Sequence, residues 1–166
     1  MNTAATPLPS LTRERPEDAD AVAALVLRAF GPGRFAKAAE RLREGGAPDY
    51  DLSFLAWDGD RLVGCVQLWR VTVGGAPAIL LGPIAVEPSY RHHGLGAALI
   101  ARARAAVAEA GHRLIVLVGD MPLFGPHGFT PAASVVMPGP VDQRRVLALA
   151  LVAGAEADLA GAVVPA

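Results

Sequence analysis

A chain of 166 residues, 52% of them hydrophobic, has the length and apolar content of one ordinary domain with a real core. Its 15 basic and 16 acidic side chains leave a formal net charge of -1, which lacks the basic excess of a nucleic-acid binder. One cysteine, Cys65, cannot close an intramolecular disulfide, and the longest apolar run, Val146 to Ala155, is too short to span a bilayer.

The first ten residues carry no basic start and apolar run of a signal peptide. They are expected to fray, leaving a single domain over 11–166 in the cytoplasm. A strand is expected at Leu11–Arg15, then a helix opened by Pro16-Glu17-Asp18 and running to Phe30. Gly31-Pro32-Gly33 breaks it, and a second helix follows over Phe35–Glu44. Strands at Leu52–Trp57, Arg61–Val73 and Ala78–Val86 are separated by the turns Asp58-Gly59-Asp60 and Gly74-Gly75. Gly94–Ala110 is the clearest helix, with Leu95, Leu99, Ala103, Ala106, Val107 and Ala110 on one face. A buried strand, His112–Val118, makes the preceding strand, helix and this strand a parallel crossover. The turn-rich segment Gly119–Pro131 and a strand at Val146–Val152 complete an α+β chain.

The chemistry gathers in the loop Glu87-Pro88-Ser89-Tyr90-Arg91-His92-His93-Gly94-Leu95-Gly96-Ala97, between an apolar strand and a helix. A helix N-terminus offers unpaired N–H groups and partial positive charge, and the two glycines clear the approach of an anion to the backbone. Arg91 adds a full positive charge. From two glycines alone, a plain tight turn is an equal reading.

Arg-x-x-Gly-x-Gly directly after Leu81-Gly82-Pro83-Ile84-Ala85-Val86-Glu87-Pro88 resembles the coenzyme A signature of the GCN5-related N-acetyltransferases (GNAT). Val118-Gly119-Asp120, Phe124-Gly125 and His127-Gly128-Phe129-Thr130-Pro131 look like the segment after that family's fifth strand. The resemblance spans roughly Leu11 to Val164. It implies a mixed sheet, an antiparallel meander followed by a parallel central pair that splays open, flanked by helices. It implies acetyl-CoA as acyl donor, with an amine of a small molecule or peptide attacking the thioester directly. Pantetheine would lie along Ile84, Ala85 and Val86, whose N–H groups include a polariser for the thioester carbonyl. Backbone groups of His92, His93, Gly94, Leu95, Gly96 and Ala97 would hold the pyrophosphate, with Arg91 beside them.

Two departures from the family pattern stand out. Where many members carry a Tyr that protonates the departing thiolate, this chain has Phe124, and His127 is a weak substitute. The strand Ala78–Val86 also holds no acid that could serve as base, leaving water, Asp18 or Asp20. Asp120 reads as the cap of a short helix, Tyr90 as a packing residue, Trp57 and Trp69 as core or edge residues, and Glu87-Pro88 as strand termination. Cys65 reads as a small core residue, and the pair His92-His93 lacks the further ligands a metal would need. Two other functions remain in play: a CoA-binding sensor without turnover, and a dinucleotide-dependent oxidoreductase suggested by Gly94-x-Gly96 with Asp120 beyond it. The Ala- and Val-rich tail is compatible with a homodimer.

Overall fold

The computed structural model describes residues 8–31 and 38–166. Strands β1 (Ser10–Arg13), β2 (Phe54–Asp58), β3 (Arg61–Val73) and β4 (Ala76–Val86) form an antiparallel meander. Helix α3 (Leu95–Glu109) then carries the chain to β5 (Leu114–Val118), parallel to β4. Strand β8 (Val146–Ala150) pairs antiparallel with all of β5, and β6 (Thr130–Pro131) lies outside it. Strand β9 (Gly161–Pro165) returns to the far half of β3, beside Val71–Val73, and pairs on its other side with β7 (Val135–Val136).

Most expected elements stand where the sequence puts them, with instructive shifts at their ends. The first strand stops at Arg13 rather than Arg15: the Glu14 N–H still reaches Ser53 O at 2.9 Å, and the 3-10 turn opened by Pro16, which has no N–H to pair, then takes over. The first helix opens with a 3-10 turn, Pro16–Asp18, whose Asp18 carboxylate accepts the Arg15 N–H at 2.9 Å, before α1 (Ala19–Phe30) begins. Helix α2 covers only Ala38–Arg41, followed by a turn where the helix was expected to reach Glu44. The expected break at Gly31-Pro32-Gly33 and the start of that helix fall mainly on 32–37, outside the described residues. Strands β6, β7 and β9 have no counterpart in the sequence reading. Two of them are two residues long, and Gly161–Pro165 has no alternating pattern.

The sheet is covered on both faces. Leu95, Leu99, Ile100, Ala103, Ala106 and Val107 of α3 pack on Phe54, Ala56, Val63, Val66, Leu68, Ile79 and Leu81. Each Leu, Ile, Val or Phe among them contributes about 1.5–3 kcal/mol by leaving water. Val22, Leu25 and Val26 of α1 pack on the opposite face against Leu55, Leu62, Cys65 and Ala85. No helix among the described residues is long and apolar enough to cross a membrane.

Candidate functional site

The central pair of strands is joined over only two residue pairs, Ile79–Ile115 and Leu80–Val116. Beyond Leu80, β4 stays on β3 as far as Val86 while β5 departs, so the other edge of β4 faces a crevice. A cavity of about 420 Å³ occupies it, lined by Leu81, Gly82, Pro83 and Ile84 of β4 and by Val118 and Gly119 at the end of β5. Val26 and Phe30 of α1, Leu123, Phe124, Pro140 and Val141 supply apolar walls, and Glu40, Arg43, Asp120, Asp142 and Arg145 supply charge.

At the same end of the sheet the chain leaves β4, makes a 3-10 turn at Pro88–Tyr90 and enters α3. His92 and Gly94 both adopt left-handed backbone, φ 70° and 80°. That conformation is costly for His92 and free for Gly94, and such left-handed residues can turn successive N–H groups toward one side. Ala98 N–H reaches Gly94 O at 3.0 Å, which leaves the N–H groups of Leu95, Gly96 and Ala97 at the helix's open end. A Cβ on Gly96 would meet nothing within 4 Å. Arg91 to Gly94 are exposed, whereas Leu95 is buried and anchors the loop in the core. The Arg91 Nε donates to Val86 O at 3.2 Å, fixing its guanidinium beside the end of β4.

Two further contacts hold this loop. Glu87, only 7% exposed, receives Arg28 of α1 at 2.7 Å and lies 3.8 Å from Arg61 of β3. Tyr90 donates its hydroxyl to Asp58 in the β2–β3 turn. Glu87 therefore anchors the loop, where the sequence reading saw only strand termination.

Of the β4 residues expected against pantetheine, Ile84 lines the cavity, Ala85 packs toward α1, and Val86 packs toward α3. Phe124 lines the cavity and is buried, its ring edge-on to Phe129 at 5.8 Å between centroids. His127 is not among the cavity-lining residues. Burial, then the charge of Arg104 on α3, lowers its pKa. Asp120 holds the N-cap position of α4 (Met121–Phe124), yet its side chain accepts from Arg145 Nε at 3.1 Å instead of capping the helix. Asp18 and Asp20 do not line this cavity. Trp69 is a core residue whose indole N–H donates to Gly82 O at 2.8 Å, and Trp57 bonds Thr12 at the sheet's edge. Among the described residues no group of His, Cys, Asp or Glu is gathered that could hold a metal ion.

A second cavity, about 280 Å³, lies on the α1 side and shares Val26, Glu40, Arg43 and Pro83 with the first. Glu40 and Arg43 are joined at 2.6 Å across that boundary. Glu14 lines this second cavity and is 3% exposed. Its two oxygens accept from one neutral donor, Gln67 Nε2, at 2.9 and 3.2 Å. Burial raises the Glu14 pKa to about 7, against the Gln67 hydrogen bond and with help from Asp18. Burial, and then the charge of Glu14, pushes the Cys65 thiol up to about 12, which removes it as a nucleophile. The sequence reading missed Glu14. Its only local signal is an acid directly after a short strand.

An open sheet edge beside a helix start with unpaired N–H groups is an arrangement suited to an acyl-CoA-dependent transferase. The acetyltransferase (GNAT) family model matches residues 19–126, and the chain belongs to that family. The uncharacterized N-acetyltransferase YhbS of Escherichia coli is 33% identical over 123 residues, 72% of each chain. The crystal structure of Escherichia coli YhbS in complex with CoA superposes with a TM-score of 0.83 at 26% identity, covering 100% of this chain and 94% of that one. A GNAT acetyltransferase from Brucella melitensis in complex with acetyl-CoA gives 0.64 at 28% identity, over 82% and 93% of the two chains. The expected fold class and N-acetyltransferase class hold. The dinucleotide alternative falls, because the strand before the Gly-x-Gly loop is the fourth of a meander inside the family match.

Proposed function

We propose that the protein transfers the acetyl group of acetyl-CoA to the amine of a small molecule or peptide, by direct attack on the thioester carbonyl. The open edge of β4 beyond Leu80, which faces the cavity at Leu81–Ile84, carries this reading. Pantetheine fits there as an added strand, bonding to backbone groups that β5 leaves unpaired. The helix start from His92 to Ala97, with Arg91 beside it, is suited to the pyrophosphate. An N–H of the β4 edge aimed at the thioester oxygen would stabilise the oxyanion of the tetrahedral intermediate. Holding amine and thioester together in the crevice supplies much of the rate. Phe124 has no proton to give, so the CoA thiolate leaves as the anion and takes its proton afterwards. Both relatives crystallised with a CoA ligand, the YhbS and Brucella proteins, support the donor.

A thermal-shift screen with acetyl-CoA, CoA, NAD, NADP and ATP tests the donor, and thiol release with a panel of amines tests turnover. Ligand at one hundred times its dissociation constant stabilises by about 2.7 kcal/mol. A shift with CoA and acetyl-CoA alone is expected; a shift with NAD alone would overturn the reading. Binding of acetyl-CoA without turnover of any amine would leave a sensor in place of an enzyme.

A further inference from the structure

Glu14 is an uncommon group to find buried. Its carboxyl sits at the end of β1, packed between α1 and β3, and shares no ion pair with a described Lys or Arg. The single neutral donor Gln67 orients it without neutralising it. Gln67 stands at the irregular register between Val66 and Leu68, opposite Gly82 and Pro83, where β4 borders both cavities. The groups around Glu14 are Asp18 of the 3-10 turn, Cys65 on β3, and Glu40, Arg43 and Tyr50 on the cavity's rim. Burying an acid with only a neutral partner is unfavourable, and groups held so gather at functional sites.

We propose that Glu14 receives the acceptor's ammonium group through the second cavity and takes its proton, so that a free amine enters the thioester crevice beside Pro83. This rests on the acetyl-transfer reading above. The ammonium R–NH3⁺ gives one proton to the Glu14 carboxylate and becomes R–NH2. Its nitrogen forms the bond to the thioester carbon, the carbon–sulfur bond breaks, and the second proton lost by nitrogen ends on the CoA sulfur. Glu14 then returns its proton to solvent through the second cavity. A carboxyl that titrates about 7 is matched to that exchange near neutral pH. The same site selects for acceptors that arrive as cations.

The test compares wild type, Glu14→Gln and Glu14→Asp with two nucleophiles, phenethylamine and hydroxylamine, at saturating acetyl-CoA from pH 5.5 to 9. Phenethylamine is protonated across this range and needs the base; hydroxylamine is already neutral near pH 7. Wild-type kcat/KM for phenethylamine should rise through a limb near pH 7. Glu14→Gln should lower it roughly 100-fold or more and abolish the limb. Hydroxylamine turnover should stay within about threefold, and CoA affinity should not change. Glu14→Asp should keep the limb at reduced rate. An unchanged limb in Glu14→Gln, or equal loss with both nucleophiles, would overturn the proposal. A wild type that binds acetyl-CoA and turns over neither these nucleophiles nor any amine of the panel would overturn the transferase reading itself, and this proposal with it.

Discussion

Arg28 sends both Nη2 and Nε to one oxygen of Glu87, at 2.7 and 2.8 Å, and so ties α1 to the loop between β4 and α3. Glu87 is nearly buried and Arg28 half-exposed. Arg28→Ala would leave the carboxylate with Arg61 alone, at 3.8 Å. We expect a loss of about 1–3 kcal/mol. Calorimetric melting should fall roughly 2–4 °C per kcal/mol, and CoA should bind more weakly. Unchanged CoA affinity would mean that the loop holds its shape without this anchor.

Gly96 looks onto open space, and an acid near a helix N-terminus is favourable for the helix. Gly96→Asp should therefore fold with unaltered melting yet lose measurable CoA binding in titration calorimetry, because its charge meets the pyrophosphate. Full affinity in this variant would remove the loop from the donor site.

Gly119 leaves no room for a methyl group: a Cβ there would stand 2.4 Å from Phe124 Cε2. Gly119→Ala should destabilise by about 1–3 kcal/mol through overpacking. Phe124→Leu in the same chain should return part of that loss, which a double-mutant cycle by urea unfolding would read as coupling. Additive losses would show that the ring is not what the methyl group meets.

The Glu14 carboxyl also predicts a pH dependence of stability. Its folded pKa of about 7 lies above the usual 4.5, so the folded state holds more protons between these values. Its contribution is then fully present below pH 4.5 and is lost as pH rises through about 7. The melting difference between wild type and Glu14→Gln should move against wild type over that window and level off above it. A flat difference would place the Glu14 pKa near that of an exposed acid.

The strand, turn and helix start of the proposed donor loop were legible because their parts are local. Strand, glycines and helix start lie within Ile84–Ala97, and an anion site at a helix start needs nothing distant. Glu14 was not legible, because its setting depends on Gln67, which is 53 positions away, and on the packing of α1. Glu87 was hidden for the same reason: its partner Arg28 is 59 positions earlier. Strands β6 and β7 are set by the long strands they lie beside, and two residues carry no period of their own.

The two-pair ladder between β4 and β5 has a dynamic consequence. A sheet joined at its middle by Ile79–Ile115 and Leu80–Val116 alone has its weakest seam there, and opening starts where fewest backbone bonds must break. A donor laid along β4 would act as a missing rung. The crevice-facing amides of 81–86, Pro83 having none, should then exchange with deuterium readily in the free protein and slowly once CoA is bound, so that the substrate itself stiffens the sheet that holds it.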